Sequence, residues 1–226
     1  MRALSGEERV RRDEQGEDLS RLLAFSDGVF AIAATLLALE IRLPALPSSA
    51  APGEVTSAIF GLLPRVYIYV LTFANILVFW MAHRRAFSTI KRLDTRILWL
   101  NGLFLALIAF LPVPSSILGG YSGVAPTVLY ASTLSATEAA IVLISAYVMS
   151  RPDLLAPGFD TREARYRLFR GVVPLGIFAL SIPVAFLSTT AATLMWVSIF
   201  FVSTVLGRAY SGMLDRLAAK GGRDGG

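Results

Sequence analysis

The chain has 226 residues, of which 55% are hydrophobic and 16% charged, with a net charge of +5 and no cysteine. That balance is that of a polytopic membrane protein, and it excludes disulfides, thiolate metal sites and a cysteine nucleophile. The basic residues are gathered in short segments between long uncharged runs, which argues for membrane topology over nucleic-acid binding.

Residues 1–20 mix both charge signs and lack an apolar core. They read as a mobile or short helical tail in water, not as a cleavable secretory signal. Residues 21–43 follow as the first span, since ~20 helical residues suffice to cross a bilayer. Asp27 lies about one turn in, and Glu40 and Arg42 stand at the far end. An intramembrane carboxylate is costly unless it faces protein or water, so this helix is expected to face the inside of a bundle. Ile32, Leu36, Leu39 and Leu43 fall on one stripe by helical spacing. Thr35 lies beside that stripe, and Gly28, Ala31, Ala34 and Ala38 offer small surfaces for close helix contact. Two arrangements meet the pattern: a stripe buried against neighbouring helices, or a pore wall made by several copies of the helix. Pro44, Pro47, Ser48 and Ser49 end the span.

The second span covers residues 55–82, and Pro64–Arg65 near its start predicts an outer helical turn before the chain enters the membrane. Asn75 is its polar feature, and Trp80 reads as an interfacial anchor. Residues 83–96 form a basic segment containing His83. Residues 97–137 carry no charge and are too many for one crossing of a ~30 Å hydrocarbon core. Gly119, Gly120, Tyr121, Ser122, Gly123 and Pro126 supply the turn, so spans three and four form a hairpin. The Gly–Tyr pair is not a carbonyl filter, which needs a re-entrant Thr-Val-Gly-Tyr-Gly loop. A second basic segment occupies residues 151–170, and residues 171–207 are again uncharged. Ser188, Thr189 and Thr190 mark the turn between spans five and six, and Pro174 and Pro183 are expected to kink span five.

The expected fold is therefore all-α, with six transmembrane helices. A tail of residues 1–20 precedes a membrane domain over 21–210, and a flexible tail covers 211–226. Six spans put both termini on one side, together with 19 of the 21 basic residues; only Arg42 and Arg65 fall on the other. The positive-inside rule then sets both termini in the cytoplasm.

No enzyme constellation appears: the single His83 has no thiol, phosphate loop or metal-ligand spacing to accompany it. His83 fits either a side chain bonded within the bundle or a gating and proton-sensing group. Arg21 and Asp27 are six residues apart and are expected to pair with other helices more than with each other. Glu138, in the middle of span four, fits a hydrogen-bonded structural carboxyl or a transport site.

Arg21-x-x-x-Phe25-Ser26-Asp27, followed by Gly-Val-Phe-Ala-Ile-x-x-Thr-Leu-Leu, resembles the first helix of the endolysosomal potassium channel family and its bacterial relatives. The likeness extends to His83, Asn101 and the Leu-Pro-x-Pro of residues 111–114, while the second half of the chain is similar in hydropathy more than in residues. The resemblance implies a homotetramer in a bacterial cytoplasmic membrane whose first helices meet at the centre and conduct potassium and other monovalent cations, without a cofactor. It implies apolar constrictions at Ile32, Leu36 and Leu39, with a hydroxyl at Thr35 near the narrowest point. It also implies that Arg21, Phe25, Ser26 and Asp27 belong to a cytoplasmic-side polar network that fixes the pore helix; an Asp27 ring attracting cations is the competing role. Arg84 and Arg85 follow His83 where relatives are expected to carry a second histidine.

A narrow apolar neck gates by dewetting, and helix carbonyls already bonded within the helix leave no cage for an ion. Selectivity for potassium over sodium is accordingly expected to be modest. The alternatives are a secondary transporter with Asp27 and Glu138 as coupling carboxylates, and a non-transporting scaffold. The two halves show no convincing inverted repeat, which a transporter fold would favour.

Overall fold

The computed structural model describes residues 6–155 and 161–202. Among the described residues eight α-helices follow one another: α1 (Gly6–Leu39), α2 (Pro52–Phe60), α3 (Leu63–Phe87), α4 (Thr95–Phe110), α5 (Pro112–Gly120), α6 (Val124–Met149), α7 (Thr161–Leu187) and α8 (Thr189–Val202), with a short 3-10 turn at Pro152–Leu154. Among the described residues there is no strand, only an isolated bridge between Ile90 and Leu155. The protein is all-α.

Among the described residues four stretches are long and apolar enough to cross a membrane: Glu14–Leu39, Pro52–Phe87, Thr95–Gly120 and Val124–Met149. The apolar helices Gly171–Leu187 and Thr189–Val202 are shorter. Together they give the six hydrophobic segments expected from hydropathy. Each junction has a local cause. Gly61 and Leu62 separate the outer helix α2 from α3, and Pro64 occupies the first turn of α3, where its missing N–H costs nothing. Gly123, at φ 130°, supplies the left-handed turn between α5 and α6. Ser188 separates α7 from α8 and accepts the Ala191 N–H at 3.2 Å on its side-chain oxygen. Pro174 and Pro183 lie inside α7 without ending it.

Of the two forms expected before residue 21 the helical one is observed, continuous with α1 from Gly6. Two boundaries differ from expectation. The same helix ends at Leu39, four residues before Leu43, because Glu40 and Ile41 tighten to i−3 bonds ahead of Pro44. The third span is divided at Leu111, since Pro112 and Pro114 bring no N–H to the helical ladder. The arginine side chains between Arg162 and Arg170, the end of the sixth span beyond residue 202 and the tail 211–226 lie outside the described residues.

The core is one cluster drawn from every long helix. Phe30 and Leu37 of α1 meet Leu71, Ile76 and Phe79 of α3, Phe104 and Ile108 of α4, and Tyr130, Leu134 and Ile144 of α6. Phe178 of α7 and Trp196 of α8 close it. Many large apolar side chains remain outside this cluster, among them Leu103, Leu143, Leu180 and Phe186. Such a surface suits lipid contact. The basic loops sit together at one end of the bundle: Arg92 pairs with Asp153 at 3.1 Å, and Lys91 N–H donates to the Leu154 carbonyl at 2.9 Å.

Candidate functional site

The candidate site is α1, and its sequence gives it two faces. Ser26, Phe30, Ala33 and Leu37 step by four, three and four residues and are each no more than 4% exposed. This face packs on α3 and α4. The opposite face carries the stripe picked out by spacing, and it is uncovered: Ile32 is 61% exposed, Leu36 41% and Leu39 61%. Ala31, Ala38, Gly28 and Thr35 are exposed beside it. Of the two arrangements that the spacing allows, burial against the chain's own helices is therefore not the one observed. Thr35 Oγ1 donates to the Ile32 carbonyl at 2.9 Å, which commits its proton to the helix and leaves oxygen lone pairs turned outward.

Two polar contacts fasten α1 to its neighbours. Trp80 Nε1–H of α3 donates to Asp27 Oδ1 at 2.8 Å. One position away, the fully buried Ser26 donates to the Leu22 carbonyl at 2.8 Å and accepts from Asn101 Nδ2 of α4 at 3.3 Å. Asn101 Oδ1 in turn lies 2.9 Å from His83 Nε2. Because that oxygen can only accept, Nε2 carries the proton. His83 is walled by Phe87 (ring centroids 4.3 Å apart), Phe30 and Phe104 (both 5.7 Å), and its buried Nδ1 has no hydrogen-bond partner.

The structure thus brings Ser26, His83 and Asn101 into one chain of hydrogen bonds and places Asp27 beside it. It does not bring Arg21 or Phe25 there. Within the chain Arg21 pairs with Glu17 on its own helix at 2.7 Å, with 75% of its side chain exposed. Phe25 is 65% exposed. Trp80 serves Asp27 and also carries the Arg84 guanidinium 4.9 Å above its ring, which is more than an interfacial anchor does. Glu138 is buried on α6, where a Cβ on Gly171 of α7 would stand 3.6 Å from its Oε1. It belongs to the α6–α7 packing and not to the exposed face of α1.

Spacing did not reveal the buried hydroxyl cluster of Thr72, Ser115 and Tyr130. Thr72 Oγ1 lies 3.0 Å from Ser115 Oγ and 2.8 Å from Tyr130 Oη. Nor did it reveal Ser116 Oγ, which donates to Glu40 Oε2 at 2.6 Å. Among the described residues no group of three or more His, Asp or Glu gathers as a metal centre would require.

Comparison with known proteins adds an independent line. A family model described as endosomal/lysosomal potassium channel TMEM175 matches residues 21–112. The chain is 33% identical over 174 residues to a protein of Streptomyces collinus named as a potassium channel, a match that takes in 74% of this chain and 82% of that one. It is 44% identical over 112 residues to a Chamaesiphon minutus protein also named as a potassium channel, covering 50% of this chain and 54%, about half, of its relative. Among solved structures, the crystal structure of a lysosomal potassium-selective channel TMEM175 homolog from Chamaesiphon minutus superposes with a TM-score of 0.73 at 26% identity. That superposition covers 85% of this chain and 98% of the other.

Proposed function

The chain belongs to the TMEM175 potassium channel family, a family of membrane channels and not of enzymes, and from that premise we propose how it conducts. Four copies meet along α1 and enclose a central pore for potassium and, less favourably, other monovalent cations. The observation that carries this reading is the uncovered stripe of Ile32, Leu36 and Leu39, opposite a face that is fully packed. A helix whose second face is apolar and offers small residues at Ala31 and Ala38 is suited to approach copies of itself.

In that assembly each of the three positions contributes one apolar ring, and the neck excludes water unless it widens. Thr35, with its lone pairs outward, is the oxygen contact available to a partly dehydrated cation. Discrimination rests on the neck radius and this hydroxyl, so it is modest. Asp27–Trp80 and Ser26–Asn101–His83 hold α1 in register against α3 and α4. They act on the pore by fixing its wall, without touching the ion. The basic loops at one end of the bundle support a cytoplasmic setting for that end and for both termini in a bacterial cytoplasmic membrane.

Cysteine placed at Ile32 in this cysteine-free chain tests the assembly. It should crosslink between subunits, and light scattering in mild detergent should give a tetramer. A monomer in several such detergents overturns the reading. Purified protein in a planar bilayer should show unitary potassium currents.

A further inference from the structure

The far end of α1 is held by two bonds that the sequence pattern did not suggest. Ser116 Oγ of α5 donates to Glu40 Oε2 at 2.6 Å, a short charge-assisted bond. The Arg65 guanidinium of α3 donates from Nη1 to the Arg42 carbonyl at 3.0 Å. Arg42 itself turns back and donates from Nε to the Leu39 carbonyl at 3.0 Å. A Cβ on Gly119 would stand 3.4 Å from Arg65 Cα, so α5 and α3 meet closely at the place from which Arg65 reaches out. These contacts all lie within about one turn of Leu39.

We propose that Ser116 and Arg65 are positioning residues for the outermost ring of the neck, tethering the end of α1 to its own subunit's wall and so holding the Leu39 side chains apart. The inference rests on α1 lining the pore. Apolar side chains that face one another across a water-filled neck gain by burying against each other, which draws the rings together. The tether acts in the opposite direction. Glu40 serves here as a hydrogen-bond acceptor on the wall side and not as a charge that attracts the permeant cation.

The test is a set of single-channel recordings on the full chain in planar bilayers with symmetric potassium. Ser116→Ala removes the donor without changing any charge, while Glu40→Gln removes the charge and keeps an oxygen acceptor. Ser116→Ala is expected to lower conductance about threefold, with Ser116→Thr restoring it and the thermal midpoint falling only slightly because the bond is exposed. Glu40→Gln is expected to stay within a factor of about two of the parent. If Ser116→Ala conducts as the parent does or better, the tether is not coupled to the neck and the proposal is overturned. If Glu40→Gln loses as much as Ser116→Ala, Glu40 acts by attracting cations, and the proposal is overturned equally. Ile32→Asn, recorded in parallel, separates the two levels. A silent Ile32→Asn removes the pore reading itself, whereas a raised conductance there with a silent Ser116→Ala removes only the tether.

Discussion

Trp80 and Asp27, 53 positions apart in the chain, are joined by a 2.8 Å bond from the indole N–H to the carboxylate. It ties α1 to α3 one residue from Ser26, which is tied through Asn101 to α4. Two neighbouring residues on α1 thus fix it against two different helices, which restrains both its position and its rotation. The rotation matters because it decides which face of α1 is left uncovered.

Asp27→Ala should therefore harm assembly more than ion preference. Losing a hydrogen bond to a charged group costs about 1.5–3 kcal/mol in protected settings, and this exposed one falls toward or below the lower end. That is less than a buried charged network would cost. Trp80→Phe should behave alike. Tetramer yield by size-exclusion chromatography and the potassium-to-sodium permeability ratio of surviving channels decide the matter. Normal yield with altered selectivity would make Asp27 an ion-attracting ring.

Asn101→Leu removes the link between Ser26 and His83 and leaves the His83 Nε2–H buried without an acceptor. The expected loss is about 2 kcal/mol, read as a lower thermal midpoint. Adding His83→Phe should recover part of it, because replacing both partners by apolar groups costs less than orphaning one. His83 already lies among Phe30, Phe87 and Phe104, so the ring is compatible with its surroundings. A double variant less stable than the single would show that His83 has a bonding role besides the one to Asn101.

Much of this architecture was legible because charge and hydropathy vary on the scale of whole helices. The uncharged runs, the Gly-rich turn at Gly123 and the helix start at Pro64 all announce themselves. What stayed hidden depends on single side chains. The stripe of Ile32, Leu36 and Leu39 stands out by residue size, yet the face that packs is built from Ser26, Phe30, Ala33 and Leu37, where small and polar residues break the visible pattern. Thr72, Ser115 and Tyr130 sit in otherwise apolar runs, and nothing local says that their hydroxyls converge. The partner that Arg21 takes within the chain was hidden for a related reason: a motif groups residues in sequence, and Glu17, one turn earlier, lies outside it.

The loops at the basic end supply an acid response. For Asp94, partial desolvation works to raise its pKa, but donation from the Tyr147 hydroxyl and the Ile97 N–H, with Arg151 nearby, holds the carboxyl below the usual carboxylate value. Asp153 is lowered chiefly by its bond from Arg151, against desolvation, with the Arg151 and Arg92 charges adding to the lowering. Both folded values are depressed, so the stability they confer is fully present above the unfolded carboxylate value, ~3.9, and is lost as pH falls through the lower folded values. Melts from pH 7 to about 5 should be unaffected by these two groups, with the loss setting in below about 4. Asp94→Ala, which also removes the N-cap of α4, should cost about 1 kcal/mol at neutral pH. If the parent's acid loss began near pH 6, these carboxylates would not be its cause.

The neck and its hydroxyl can be separated by two substitutions on adjoining turns of α1. Ile32→Asn places amides where the proposed ring is hydrocarbon, which removes the dewetting barrier and gives water a continuous path. Conductance should rise and discrimination between potassium and sodium should fall. Thr35→Ala leaves the apolar rings in place but deletes the outward oxygen, whose proton is already bound to the Ile32 carbonyl. It should lower selectivity with little gain in conductance, because the width and wetting of the neck are unchanged. Losing a local hydroxyl-to-carbonyl bond on an exposed helix face should barely affect folding, so the readout is the pore itself. Reversal potentials under bi-ionic potassium and sodium gradients distinguish the two effects. If Ile32→Asn altered neither conductance nor selectivity, the uncovered stripe would serve only helix contact between copies, and the ion path would run elsewhere.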